Sequence, residues 1–217
     1  MTEVILESDP EARDYALDRV IMLSDGVFAI AITLLALELR PPETWDHSIA
    51  SLLGLMWRPA AAFLVSFVII AFFWIAHRRM FGRFRTADLP LTLLNFVMLG
   101  LITLAPVATN LAWEGGPRGG GFVVYWTMFT LLGLTNAAIW AYAAFLKPSL
   151  FRRPPSPTVA RLTLAMLLVM PISMPLLGLV SSGAFGIWIA APVLLLVVSL
   201  RVLRSRMRRV LAEEGIR

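Results

Sequence analysis

With 217 residues, 59% of them hydrophobic and only 15% charged, and a mean hydropathy of +0.78, the chain cannot be a soluble domain with a polar surface. It contains no cysteine, which excludes disulfides, thiol catalysis and cysteine-ligated metal sites. The net charge of +5 rests almost wholly on arginine, and its distribution along the chain follows membrane topology rather than a nucleic-acid partner.

The first 18 residues carry six acids and lack a basic n-region, so they do not read as a cleaved signal peptide, and the first helix is expected in the mature protein. Apolar runs follow at 19–39, 59–77, 89–113, 122–146, 159–181 and 184–203, each near the ~20 residues that a spanning helix needs. The expected architecture is an all-α membrane protein, a single six-helix transmembrane domain over residues 1–217. Pro41-Pro42 ends the first run, Pro59 suits the first turn of the second, and Asp88 can cap the third with Pro90 just inside. Glycines between 115 and 121, then Pro154-Pro155-Ser156-Pro157, separate the next pairs, whereas only Ser181-Ser182-Gly183 divides the last two. Pro106, Pro171, Pro175 and Pro192 fall inside spans, where they kink helices that pack against protein.

Arginine and lysine orient the bundle. With the N-terminus inside, sixteen basic residues lie on the inner side and three, Arg40, Arg58 and Arg118, on the outer. That positive-inside asymmetry predicts cytoplasmic termini. Arg204, Arg206, Arg208 and Arg209 suit either anionic lipid heads or a solvated helix end.

The first run, RVIMLSDGVFAIAITLLALEL, is unusual because Arg19 and Ser24-Asp25-Gly26 interrupt an otherwise apolar segment. An ionised Asp in hydrocarbon costs roughly 2.5–3.5 kcal/mol on insertion scales, so Asp25 is expected to be buried near one interface with an Arg or His partner. Arg19, Ser24, Asp25 and His77, with Trp74 against them, are the candidate polar cluster, read as a structural network ahead of ion binding. Glu38 at the outer end suits either cation attraction or an exposed helix end.

Few other chemistries are available. His47 and His77 are the two histidines, and neither has HExxH or another metal-ligand spacing. GxSxG, P-loop and GxGxxG motifs are absent, and Asp25 and Glu38 lie about 20 Å apart on one helix, too far for a shared acid-base site. The spans also lack TVGYG and a three-residue arginine repeat, and helix three offers only Thr92, Asn95, Thr103 and Asn110 to a polar substrate. A transporter, a membrane scaffold and a membrane enzyme built on Asp25 and His77 remain open. On a 3.6-residue wheel, Val27, Ile30, Leu34 and Leu37 form one stripe beside the small residues Gly26, Ala29, Thr33 and Ala36. The small stripe permits close helix approach, and the apolar stripe faces either lipid or a constriction about a symmetry axis.

The run Arg19-x-x-x-Leu23-Ser24-Asp25-Gly26, continuing through Leu35, resembles the RxxxFSDG signature that opens the first helix of the endolysosomal potassium-channel family of transmembrane protein 175. The helix count, similar to that of the family's bacterial members, and Trp74-x-x-His77 extend the resemblance; Leu23 stands where the signature has Phe. The resemblance implies a homotetramer in the bacterial inner membrane with a central pore lined by helix one. It further implies that Ile30, Leu34 and Leu37 form stacked hydrophobic constrictions and that Thr33 supplies hydroxyls for selectivity. Its permeant species would be potassium, with modest preference over sodium, and its partners membrane lipid and further copies of itself; no cofactor, metal or nucleic acid is implied.

Overall fold

The structure is a computed structural model and describes residues 10–41, 43–114 and 120–180, together with Arg201 and Ser205. Every extended element among them is a helix. Helix α1 runs Pro10–Leu37, starting nine residues before the first apolar run and stopping two residues short of its expected end. Its last turn tightens as Glu38 N donates to Leu35 O (3.3 Å) and Leu39 N to Ala36 O (3.2 Å). Arg40 Nε donates to Leu37 O (3.2 Å), meeting one of the carbonyls that a helix end orphans.

Helix α2, Ile49–Phe81, differs most from expectation: it begins ten residues before Pro59, which therefore lies inside the helix rather than in its first turn. The start is set by Ser48, whose Oγ accepts from Ser51 N (3.1 Å). Asp46 Oδ1 in turn accepts from Ser48 N (2.9 Å), and that bond holds the Asp46 carboxyl below its ordinary range. Pro59 removes one i→i−4 bond from a helix of 33 residues, long enough to keep its course.

The expected third span is two helices, α3 (Leu89–Thr103) and α4 (Ala105–Glu114), broken at Leu104 because Pro106 has no N–H to give the preceding turn. Asp88 caps α3 as expected, Oδ1 accepting from Leu91 N at 3.0 Å. Helix α5 spans Gly120–Ala141 and closes in a π-helical turn, Tyr142–Leu146. Helix α6 spans Pro157–Val180. The expected sixth run, 184–203, lies outside the described residues apart from Arg201.

Among the described residues, four helical stretches are long and apolar enough to cross a membrane by length and composition: Tyr15–Leu37, Ile49–Phe81, Leu89–Ala112 and Gly120–Leu146. Helix α1 packs on α2, α3 and α4, and α5 packs on α3, α4 and α6. Two glycines set the approach distances. A Cβ on Gly121 would overlap the Leu111 backbone, and one on Gly133 would stand 2.9 Å from Pro171 Cδ. Phe28, Phe73, Phe81, Phe129 and Trp140 are almost wholly buried and anchor the core, each contributing on the order of 1.5–3 kcal/mol by removal from water.

Candidate functional site

The sequence places Ser24 and Asp25 side by side, and the helix separates them. Adjacent residues point about 100° apart on a helix, so when Ser24 turns into the bundle Asp25 turns out of it. Ser24 is fully buried, but Asp25 is exposed in the single chain, contrary to the expected buried acid. Its partner is neither arginine nor histidine: Trp74 Nε1 donates to Asp25 Oδ1 at 2.8 Å. The Arg78 guanidinium lies over the Trp74 ring, 5.5 Å from its centroid.

Ser24 and His77 meet through a residue missing from the expected cluster. Ser24 Oγ donates to Val20 O (2.7 Å) and so accepts from Asn95 Nδ2 (3.0 Å). Asn95 Oδ1 then faces His77 Nε2 at 2.8 Å, and only an Nε2–H can donate to it. His77 is therefore assigned as the Nε2–H tautomer, with a buried Nδ1 that has no partner among the described residues. Its ring stacks on Phe81 (4.1 Å between centroids, 20° between planes) and tilts against Phe28 at 5.7 Å. The network ties α1, α2 and α3 together at one level. The signal for Asn95 was available: it is the one amide within the apolar run LPLTLLNFVMLGLIT, where an unpaired polar group is expensive.

Arg19 stays outside this network. It is exposed, and its guanidinium lies over Tyr15, 5.8 Å from the ring centroid. At the other end of α1, Glu38 Oε2 accepts from Asn110 Nδ2 (2.6 Å), beside a half-open cavity of about 560 Å³ that Arg40, Pro59 and Phe63 help to line.

The candidate pore residues share the outward side of α1. Ile30, Leu34 and Leu37 are 59%, 40% and 60% exposed in the single chain, and Thr33 is exposed with its hydroxyl donating to Ile30 O (2.8 Å). Gly26, Ala29 and Ala36 are exposed beside them, whereas Leu17, Ser24, Phe28, Ala31 and Leu35 form the buried edge. No group of three or more His, Cys, Asp or Glu side chains suited to hold a metal ion occurs among the described residues.

The profile of the family described as "Endosomal/lysosomal potassium channel TMEM175" matches residues 19–106. A potassium channel of Chamaesiphon minutus is 35% identical over 135 residues, covering 58% of this chain and 65% of that protein. The human endosomal/lysosomal proton channel TMEM175 is 28% identical over 130 residues, covering 58% of this chain and 25% of that protein. The crystal structure of a lysosomal potassium-selective channel TMEM175 homolog from Chamaesiphon minutus superposes with a TM-score of 0.61 at 26% identity, covering 84% of this chain and 97% of that one. The chain thus spans less than two thirds of the length of these curated relatives.

Proposed function

We propose that this chain is a potassium-permeable cation channel of the TMEM175 family, whose model matches residues 19–106. Copies of the chain assemble as a homotetramer, and the outward side of α1 from each surrounds a central pore. The observation that carries this reading is the division of α1 into a packed edge and an outward side bearing Ile30, Leu34 and Leu37 in one line. Gly26, Ala29 and Ala36 beside that line let backbones from neighbouring copies approach closely.

Four aliphatic side chains at one level offer a passing ion no oxygen to replace its hydration shell, so water leaves such a layer readily and conduction is limited there. Thr33, one turn along the neighbouring stripe, supplies the hydroxyl nearest that constriction. With so few fixed oxygens, preference for potassium over sodium is modest. The Ser24–Asn95–His77 network holds α1 in place and does not touch the ion. Both termini lie in the cytoplasm, as the arginine asymmetry suggests, and the channel sits in the bacterial inner membrane.

Reversal potentials of the purified protein in planar bilayers, measured under opposed potassium and sodium gradients, test this. A reversal potential displaced toward the potassium equilibrium value is expected. Absence of current would return the chain to the transporter or scaffold readings.

A further inference from the structure

At the end of the bundle where α2 finishes and α3 begins, two loops are pinned together. Arg85 N donates to Leu150 O (2.8 Å) and Arg152 N to Arg83 O (3.0 Å), an isolated antiparallel bridge centred on Phe84 and Phe151. The two phenylalanines turn inward, 0% and 3% exposed, and meet edge to face at 5.0 Å, with Trp140 packed on Phe151 at 5.5 Å. Strand alternation then sends the next cross-bridge pair, Arg83 and Arg152, to the outer face, where both are exposed.

Like charges directly opposite each other across such a bridge are destabilising. Here they are also held. The Arg83 guanidinium lies over the Trp140 ring, 5.6 Å from its centroid, and Arg152 Nε donates to Phe84 O at 3.1 Å, which leaves its terminal amino groups to other partners. The acid nearest in sequence is committed elsewhere: Asp88 caps α3 through Oδ1 and accepts from Tyr142 OH (2.6 Å) through Oδ2. Between Asp46 and Glu213 the sequence has only Asp88 and Glu114 as acids, and Arg78, Arg79, Arg85 and Arg153 add to the local charge.

We infer that Arg83 and Arg152 form a binding site for the phosphodiester headgroup of an anionic phospholipid. A guanidinium fork matches the paired oxygens of a phosphate, and an anion bound beside this cross-bridge pair offsets its repulsion with charge-assisted contacts. The lipid is the source because the bridge joins the ends of two helices of membrane-spanning length, which puts it at headgroup depth. This site is independent of the pore reading.

Binding of dioleoylphosphatidylglycerol and dioleoylphosphatidylcholine to the full-length protein in detergent micelles, counted by native mass spectrometry, tests the inference. The wild type is expected to prefer phosphatidylglycerol by about tenfold, the ratio that 1.4 kcal/mol represents. Arg83→Gln should abolish the preference, whereas Arg161→Gln, a basic residue on α6 that is not part of the bridge, should keep it. If Arg83→Gln fails to fold, Arg83→Lys replaces it, with severalfold weaker binding expected because a point charge replaces a fork. Equal binding of both lipids, equal loss in Arg161→Gln, or displacement of the lipid by millimolar inorganic phosphate would each overturn the assignment.

Discussion

The two sides of α1 use opposite chemistry to do different work. On the packed edge, the polar Ser24 is fully buried with every bond assigned, between the apolar Leu17 and Phe28. On the outward side, the apolar Ile30, Leu34 and Leu37 are bare in the protomer. Hydrophobicity alone would sort these residues the other way. The packed edge fixes the registry of three helices, and on the proposed reading the outward side meets other copies of the chain. Changes on the first should cost stability and leave permeation alone, and changes on the second should do the reverse.

The largest effect should come from Asn95, which holds the packed edge together. Asn95→Ala leaves the His77 Nε2–H without its acceptor and the Ser24 hydroxyl without its donor, both within the core. A buried unsatisfied polar group costs ~1–3 kcal/mol, so a loss of about 3 kcal/mol is expected in thermal or chemical unfolding in detergent. Channels that still fold should keep their ion preference. An unfolding midpoint equal to wild type would remove the network from the stability of the fold.

On the outward side, Ile30→Asn keeps similar bulk and adds hydrogen-bonding groups, which should hold water in the proposed constriction and raise single-channel conductance severalfold. The unfolding midpoint of the protomer should hardly move, since Ile30 is 59% exposed there. Phe28→Leu is the matched control on the packed edge: it should lower stability by about 1 kcal/mol and leave conductance near wild type. If Phe28→Leu changed conductance and Ile30→Asn did not, helix α1 would not line the pore with this side. Thr33→Ala should act more weakly, reducing potassium preference in reversal-potential measurements without altering stability. The Thr33 hydroxyl bonds only Ile30 O within its own helix, so no partner elsewhere in the fold is left unpaired.

Much of this division was legible in the sequence. Wheel positions put Ile30, Leu34 and Leu37 in one line, and Asp88 with Pro90 marked the start of α3 correctly because cap and proline agreed. Pro59 misled because a proline inside a helix carries the same residue type as one in its first turn. The deciding contact, Ser48 Oγ with Ser51 N, starts eleven residues before Pro59, in a stretch that resembles a loop only if the proline is trusted. Asn95 was missed as Ser24's partner because the pairing joins residues 71 apart in sequence, a separation that no local pattern encodes. The extent of burial at Asp25 was misjudged for a geometric reason: the cost of a charge in hydrocarbon says that it needs a partner but not which side of the helix it occupies.

Asp25 sits at the border of the two sides, and it should show the smallest effect. Its Oδ1 accepts from Trp74 Nε1, a donor that an amide oxygen satisfies equally well in geometry. Asp25→Asn therefore removes only the charge-assisted part of that bond. Neutral hydrogen bonds are worth ~0.5–1.5 kcal/mol and those to charged groups ~1.5–3, so a loss near 1 kcal/mol is expected, measured as a small fall in unfolding midpoint. Because Asp25 is exposed in the protomer, the same variant also reports on what lies outside it. If the carboxylate serves only Trp74, the potassium-to-sodium reversal potential stays at its wild-type value. A shifted reversal potential with an unchanged unfolding midpoint would instead place Asp25 beside the permeating ion, and the border between the two sides of α1 would move by one residue.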